Sequence, residues 1–340
     1  MRPRGSVPSA IAGIAVIVLL AGCSSGTNGA DLPTRPSATA ATASDTTATP
    51  TGQVLPITTP ITDLLAVTGT GLLAALDGSA TTLSLIDPAT TPPEVRAVPL
   101  PAKAAAIAAG PHGEVLAALP NQVLRIDAVA GTTTAVPVEG EVHTAQIRAD
   151  GSLVVGTADG TVRVLSPTGE VLHTVSGLVS ADALAITGDR VTVLDRRQTS
   201  LTEVDLRKDQ LGLALRVGDG ATNLIADHFG RIIVTDTAGN ELLVYTAGPL
   251  VLRQRFPVRS SPYALAYDQR SETVWVTCTQ TNEVVGFDLS TGIPEEVGRF
   301  PTVRQANSIA IDEHTGDLFV GSATGDGLQR IRADQRKGGH

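Results

Sequence analysis

The stretch that decides the fold is residues 263–300, YALAYDQRSETVWVTCTQTNEVVGFDLSTGIPEEVGRF. It contains four short runs rich in β-branched and aromatic residues, and Gly, Asp, Asn, Ser and Thr separate these runs. Short runs of this kind without helical periodicity are typical of strands joined by tight turns. The stretch therefore predicts four successive antiparallel strands, at 263–267, 273–277, 284–288 and 297–300.

The same pattern repeats along most of the chain. Subtracting successive residue numbers, a turn residue between the first two strands recurs at intervals of 42, 38, 37, 42, 42 and 44 residues. These turn residues are Gly71, Gly113, Gly151, Gly188, Gly230, Glu272 and Gly316. Intervals near 40 residues are typical of four-stranded propeller blades. We therefore predict an all-β, seven-bladed β-propeller of four-stranded antiparallel blades.

Two parts of this pattern are less regular. Residues 201–217 carry charges at spacings that a surface helix also accepts, although Gly212 and the surrounding valines favour two strands. The last unit lacks a fourth strand, and an unassigned apolar run at 54–57 precedes the first full unit. We predict that this N-terminal strand completes the last blade and closes the ring, which removes open sheet edges.

Three motifs in the opening stretch carry a family resemblance: WVT at 275–277, TNEV at 281–284 and FD at 287–288. Together they resemble the propeller repeat whose consensus reads Tyr-Val-Thr-Asn, then a Thr-Val pair, then Ile-Asp. IVTD at 233–236 and LFV at 318–320 echo it. The resemblance is to the YncE-like propellers of the quinoprotein-amine-dehydrogenase-like superfamily. It implies the propeller fold and specifies no chemistry.

The N-terminus predicts where the protein works. The apolar run at 11–20 follows two arginines and is about half the roughly 20 residues of a membrane-spanning helix, which indicates the hydrophobic region of a signal peptide. The run ends in Leu-Ala-Gly-Cys at 20–23, which resembles a bacterial lipobox. That resemblance implies that Cys23 is lipidated and anchors the protein to the extracytoplasmic face of the cell membrane. The alternative is an ordinary cleaved signal peptide.

Composition sets the remaining boundaries. We predict a signal peptide at 1–22, the lipidated cysteine with a disordered Ser/Thr/Pro-rich linker at 23–52, the propeller at 53–334 and a charged tail at 335–340. The formal net charge of −9 argues against a nucleic-acid partner. Because Cys23 is the proposed lipid site, Cys278 has no partner for a disulfide. We expect a monomer.

Three further features have simple structural interpretations. Gly69 and Gly71 nearly match a dinucleotide fingerprint, but Gly78 and another strand follow too soon for the required helix, so a hairpin is predicted. Exposed turns are predicted for three histidines, which fall in different blades: His112, His228 and His314. Residues at the ends of second strands form a partial acidic set, for which loop capping is favoured over a shared cation. These residues are Asp77, Asp195, Asp236, Cys278 and Ser322.

The remaining candidate site is the mouth of the central channel, where the innermost strands of a propeller begin and converge. Nine polar residues are predicted there: Asp63, Lys103, His143, Asp182, Asn223, Arg259, Tyr263, Arg304 and Asn307. Such a mouth could bind a small polar ligand or a peptide terminus, or it could simply hold water. We assign no catalytic residue, metal ligand or cofactor.

The sequence thus favours a membrane-anchored binding or scaffolding module of the cell envelope, whose partner is an envelope protein or a small polar ligand. The alternative is an extracytoplasmic metal-dependent hydrolase or lactonase that uses the central channel. That activity needs carboxylates clustered around a metal ion, and the nine residues include two Asp and no Glu. A quinone-dependent dehydrogenase is disfavoured, because it would need aromatic or disulfide platforms that one Trp and one unpaired Cys do not provide.

Overall fold

A computed structural model describes residues 34–45 and 48–337. Within these ranges the protein is a β-propeller built from 26 strands, with a single 3₁₀ turn at Gln335–Lys337. No helix in the described ranges is long and apolar enough to cross a membrane. The predicted signal peptide and the lipidation site at Cys23 lie outside the described residues.

The strands follow one another in chain order with short connections. The first nine are β1 (Gln53–Leu55), β2 (Ile61–Ala66), β3 (Leu73–Asp77), β4 (Thr82–Asp87), β5 (Glu94–Pro99), β6 (Ala106–Ala109), β7 (Glu114–Asp127), β8 (Thr133–Ile147) and β9 (Leu153–Thr157). The next nine are β10 (Val162–Leu165), β11 (Val171–Val175), β12 (Ala183–Thr187), β13 (Arg190–Asp195), β14 (Ser200–Asp205), β15 (Gln210–Arg216), β16 (Ala221–Ala226), β17 (Arg231–Asp236) and β18 (Glu241–Thr246). The last eight are β19 (Val251–Pro257), β20 (Pro262–Asp268), β21 (Thr273–Cys278), β22 (Glu283–Asp288), β23 (Glu295–Pro301), β24 (Ala306–Ile311), β25 (Leu318–Ser322) and β26 (Leu328–Ile331).

The prediction of seven four-stranded blades is wrong. The described strands form six antiparallel sheets, of which five have four strands and one, β6 to β11, has six. Two predicted units merge because β7 and β8 are long strands that pair with each other without an interrupting loop. Asn121 and Gly140, where the expected breaks fall, have φ angles of 61° and 99°. The register of the β7–β8 pairing shifts there, from Pro120 opposite Glu141 to Gln122 opposite Pro137, but both strands run on through the shift. The residues of the irregular unit form two strands, β14 and β15, as favoured.

The predicted closing strand at 54–57 also differs from the observed strand. The three residues of β1 pair with β26, and the pairing ends at Leu55. Pro56 follows and has no N–H to donate, so the ladder cannot continue through it. The sheet of β24 to β26 therefore receives only a short outer strand.

The core lies between successive sheets. Leu83 and Leu85 of β4 share one buried cluster with Val115 and Ala117 of β7. Another cluster joins the β2–β5 sheet to Phe319 of the last sheet, so the stacking returns to its start. The innermost strands contact their neighbours around the axis: β2, β6, the end of β8, β12, β16, β20 and β24. This arrangement brings the start of each inner strand to one face of the molecule, which we call the cavity face.

Candidate functional site

A cavity of about 510 Å³ opens at the centre of the cavity face, and inner strands from the whole ring contribute to its wall. We call it the axial cavity. Five of the nine predicted residues line it: Asp63, Asp182, Asn223, Tyr263 and Asn307. Its size is within the range of small-molecule sites, roughly 300 to 1,000 Å³. The inner strands thus bring these polar side chains together, although they are distant in sequence.

The other four predicted residues lie at varying distance from the axial cavity. His143 is hydrogen-bonded through Nδ1 to the Asp182 carboxylate at 2.9 Å, so it belongs to the rim. Lys103 and Arg259 are exposed, and Arg304 is half-buried. These three do not contribute to the cavity wall. The predicted set therefore splits into wall residues and outlying basic residues.

Asp182 is the most heavily hydrogen-bonded carboxylate of the axial cavity. Besides His143, it accepts hydrogen bonds from the Ser180 hydroxyl at 2.5 Å and from the backbone N–H of Arg196 at 2.7 Å. Burial alone would raise the pKa of Asp182, but the hydrogen bonds and the nearby Arg196 charge outweigh it and hold this pKa below its ordinary value. Asp182 is therefore a fixed negative charge on the wall.

The pKa of Asp63 is shifted in the opposite direction. Its carboxylate accepts hydrogen bonds from the backbone N–H of Leu64 at 2.9 Å and of Ile107 at 3.1 Å. Burial nevertheless raises the pKa of Asp63 above its ordinary value, because these bonds and the Arg196 charge compensate only in part. The cavity thus contains two carboxylates with pKa values shifted in opposite directions.

Arg196 is the functional residue that the sequence analysis missed. It lines the axial cavity, and its Nε donates to the Thr222 carbonyl at 2.6 Å, which directs the side chain across the start of β16. Its positive charge lowers the pKa of both Asp63 and Asp182. One feature of the sequence could have indicated it: two arginines, at 196 and 197, directly follow the buried end of β13, and the ends of second strands lie near the mouth of the channel.

Buried carboxylates at second-strand ends cap the loops that support this site, as predicted. The Asp195 side chain accepts backbone N–H bonds from Val179, Ser180 and Gln198 at 2.9 to 3.1 Å. Asp236 does the same for the N–H groups of three residues at 2.7 to 3.0 Å, namely Asp219, Gly220 and Gly239. Both carboxylates are fully buried, so these bonds carry the conformation of the loops that precede β12 and β16.

The remaining motifs also have structural roles. Gly69 and Gly71 lie in the turn between β2 and β3, as the hairpin prediction requires. The three turn histidines, His112, His228 and His314, are exposed as predicted. Cys278 is buried, and burial raises the pKa of its thiol to about 12, which disfavours the thiolate.

A segment within the predicted linker lies across the cavity face. Residues 35–45, which we call the strap, run past the loops before β16, β20 and β24 and the turn after β21. At its start, Arg35 donates from its backbone N–H to the Arg197 carbonyl at 3.0 Å and from Nη1 to the Asp219 carbonyl at 2.9 Å. At its end, the backbone N–H of Ser44 donates to the Gln280 carbonyl at 3.1 Å. The strap is bonded to the loops around β16, β20 and β24, which we call the covered half of the cavity face. Its hydrogen bonds go to neither Asp63 nor Asp182, and we call the side with these two residues the open half.

A larger cavity of about 860 Å³ lies away from the axis, among β13, β14 and the loops around them. Its charged groups include Asp189, whose side chain is fully exposed. A fully exposed carboxylate is solvated and gains little from a ligand. The axial cavity, on which inner strands from the whole ring converge, is the better candidate site.

The sequence matches no protein-family model and no curated protein sequence. Similar solved structures include streptogramin B lyase, with 11% identity over 81% of this chain and 93% of that one, at a TM-score of 0.66. A catalytically inactive virginiamycin B lyase from Staphylococcus aureus with quinupristin has 14% identity, coverage of 82% and 98%, and a TM-score of 0.67. The WD40 β-propeller domain of Doa1 has 12% identity, coverage of 85% and 98%, and a TM-score of 0.68. At these identities the likeness establishes the β-propeller fold alone, and that part of the prediction is confirmed.

Proposed function

We propose that the protein is a binding module of the cell envelope, anchored to the extracytoplasmic face of the cell membrane by a lipid on Cys23. It binds a polar group that carries both charges, on a small molecule or on an envelope protein, in the axial cavity. The observation that carries this proposal is the set of partly buried charges around the axial cavity, Asp63, Asp182 and Arg196. Charges held at low solvent exposure interact with a ligand more strongly than surface charges do.

The shape of the site supports binding. Most wall residues lie on inner strands, whose positions the stacked sheets fix. Asp182 and Arg196 lie in the adjoining loops, where hydrogen bonds to each other and to Thr222 hold them, so the site is preformed. Asn223 also donates from Nδ2 to the Tyr263 carbonyl at 3.1 Å, which joins two wall positions. A ligand therefore meets an ordered wall rather than a mobile loop.

The anchor is tested by fractionation. In the native host we expect the wild-type chain in the membrane fraction and the Cys23→Ser variant released from it, because lipid chains supply the membrane affinity. Recovery of both forms in the same fraction would contradict the anchor. The binding proposal would then stand or fall on its own test.

The binding site is tested by photo-crosslinking in intact cells. A crosslinking amino acid replaces Lys103, which is exposed near the cavity face, or Phe229, which lies in the turn between β16 and β17 at the opposite end of the inner strands. We expect crosslinked products from position 103 and few from 229, and we expect Arg196→Ala to reduce the former. Equal yields from both positions, unaffected by Arg196→Ala, would argue against the axial cavity as the site.

A second candidate function is an enzyme that uses the axial cavity. The observation that favours it is the His143–Asp182 pair at the rim, since a carboxylate-oriented imidazole is a common general base. Among the described residues, no group of three or more His, Cys, Asp or Glu side chains is placed to hold a metal ion, so the metal-dependent form has no built site there. Incubation with quinupristin and with simple lactones, followed by mass spectrometry, tests the activity. Turnover that His143→Ala abolishes would favour the enzyme over the binding module.

A further inference from the structure

The strap is held mainly through its backbone. The backbone N–H of Ala41 donates to the Ser261 hydroxyl at 3.1 Å, and the Ala41 carbonyl accepts from the Gln305 amide at 2.9 Å. The same Gln305 side chain accepts from the Ala43 N–H at 2.9 Å. The Asn282 amide donates to the Ser44 carbonyl at 2.9 Å. We call the residues that bind the strap, Ser261, Gln280, Asn282 and Gln305, the strap groove.

The strap groove selects small side chains. Ala43 is 5% exposed, so a larger side chain there would not fit without rearrangement. Ala38 packs so closely over Gly220 that a methyl group added to Gly220 would lie 2.8 Å from the Ala38 side chain. Thr39 and Thr42 point outward and are exposed. The groove therefore fits an extended, uncharged peptide with alanine at its buried positions.

The backbone of the strap groove is itself unusual. Ser261, Asn282 and Gln305 have φ angles of 58°, 55° and 53°, in the left-handed region that non-glycine residues rarely adopt. Non-glycine residues outside the groove, such as Thr199, also adopt it. At Ser261, Asn282 and Gln305 the conformation directs side chains that can bond to the strap.

We propose that the strap groove is a peptide-binding site for an extended, uncharged segment of a partner protein, rich in Ala, Ser and Thr, and that the strap is its built-in competitor. The proposal rests on the proposed function only in assuming an envelope protein as partner. The strap is held by the seven hydrogen bonds described above, each of modest net strength, and by one buried side chain, the methyl group of Ala43. Its tether keeps it at an effective concentration of about 1 mM, so it competes with the partner without sealing the site.

The groove also connects to the axial cavity. The Gln305 amide that holds Ala41 donates at 2.9 Å to the side-chain oxygen of Asn307 on the cavity wall. Exchange of the strap for a partner segment therefore changes the surroundings of a wall residue. A single partner could occupy the groove with an extended segment and the axial cavity with a charged group.

The test uses the mature full-length chain in detergent and a fluorescein-labelled peptide with the sequence of residues 35–45. A strap-replaced variant has residues 36–44 exchanged for a Gly/Ser sequence of equal length. We expect the peptide to bind this variant at least tenfold more tightly than the wild type, because the tethered competitor is gone. A peptide with Ala43→Trp should bind at least tenfold more weakly, and one with Thr42→Trp should stay within about threefold. Fluorescence anisotropy measures each affinity.

Matched substitutions in the strap-replaced variant locate the site. Gln305→Ala should weaken peptide binding about fivefold or more, which corresponds to the loss of one or two hydrogen bonds. Gln254→Ala, in β19 and bonded elsewhere to the Thr291 carbonyl, should leave binding unchanged. Thermal melting confirms that each variant is folded.

Several outcomes would overturn the proposal. One is that the folded strap-replaced variant does not bind the peptide. Another is that the wild type binds the peptide as tightly as this variant does, and a third is that the Ala43→Trp peptide binds as tightly as the unchanged peptide. A concentration-dependent dimer of the wild type that the strap-replaced variant does not form would assign the groove to a second copy instead. If the strap-replaced variant does not fold, elastase cleavage of the strap provides the test. Gln305→Ala in the wild type should then accelerate cleavage severalfold and Gln254→Ala should not. The crosslinking result at position 103 is independent of all these outcomes.

Discussion

The two halves of the cavity face differ in the chemistry they present. The covered half binds the strap with neutral side chains, Ser261, Asn282 and Gln305, that bond to backbone groups. The open half presents the charges of Asp63 and Asp182 together with Arg196. Neutral amides and hydroxyls suit a peptide backbone, which carries no net charge, whereas paired charges suit a polar ligand. One face of one fold therefore holds two sites that recognise different groups.

Both halves are built on the same device, a buried carboxylate at the end of a second strand. Asp195 holds Ser180, whose hydroxyl bonds to Asp182 in the open half. Asp236 holds Asp219 and Gly220, which contact Arg35 and Ala38 of the strap in the covered half. Removing either carboxylate should therefore damage mainly one half; the one strap contact that depends on Asp195 is the bond from Arg35 to the Arg197 carbonyl.

The largest effect is expected for Asp195→Ala and Asp236→Ala. Each substitution removes a fully buried carboxylate and leaves three buried or part-buried backbone N–H groups without that acceptor, and we expect each to lower the free energy of unfolding by about 3 to 5 kcal/mol. Asp77→Ala is the matched control, because Asp77 caps Thr81 and Thr82 at the same place in the first sheet but is only half-buried. It should cost about 1 kcal/mol. Urea unfolding measures all three.

Asp195→Ala and Asp236→Ala should each disturb a different part of the cavity face. Asp236→Ala should expose the strap to elastase while the native signals of Asp182 persist in carboxyl NMR spectra. Asp195→Ala should shift those signals and loosen only the start of the strap, where Arg35 bonds to the Arg197 carbonyl, and leave Ala41 and Ala43 protected. Equal destabilisation by Asp77→Ala would contradict the capping argument, and loss of both signals in both variants would show that the halves are not independent.

The second prediction concerns pH and the two cavity carboxylates. The pKa of Asp182 is lowered in the folded state, so its stabilisation is complete above the unfolded-state pKa of about 3.9 and is lost as pH falls below it. The pKa of Asp63 is raised in the folded state, so its charge destabilises the folded state. This penalty is complete above the folded-state pKa and disappears as pH falls from there to the unfolded-state pKa. The two contributions have opposite signs.

Substitution separates these contributions. Asp182→Asn should reduce the loss of stability below about pH 4, and Asp63→Asn should remove a gain in stability that accompanies acidification above about pH 4. Urea unfolding at a series of pH values, with each variant subtracted from the wild type, gives the two curves. If both substitutions changed the pH dependence of the free energy of unfolding in the same direction, the pKa values of the two carboxylates would not be shifted in opposite directions.

Much of this architecture could be predicted from the sequence, and the exceptions have physical reasons. Alternating short runs and turn residues indicated the all-β fold and most strands, because side-chain burial on stacked sheets leaves that pattern. The merging of two units was not visible, since Asn121 and Gly140 also fit ordinary loops. The capping carboxylates were predictable because an Asp after a strand bonds to nearby N–H groups.

The strap and Arg196 show where sequence reasoning stops. Composition describes residues 35–45 as a linker, and nothing local reveals that Ala41 and Ala43 meet side chains 220 and 262 residues further along the chain. Arg196 follows a strand as many surface arginines do, and its direction depends on the Thr222 carbonyl of the next sheet. Contacts between separate loops are set by the ring as a whole.

The smallest expected effect compares two histidine–aspartate pairs. His143 and Asp182 lie at the cavity rim with side chains 27% and 9% exposed, whereas His173 and Asp209 form a shorter pair, 2.7 Å, with side chains 35% and 54% exposed. Water competes for the exposed pair, so His173→Ala should change the free energy of unfolding by no more than about 0.5 kcal/mol. His143→Ala should cost about 1 to 2 kcal/mol, because it removes a bond to a largely buried carboxylate. Urea unfolding at pH 7 measures both, and a larger loss for His173→Ala would mean that distance rather than solvent exposure decides the strength of these pairs.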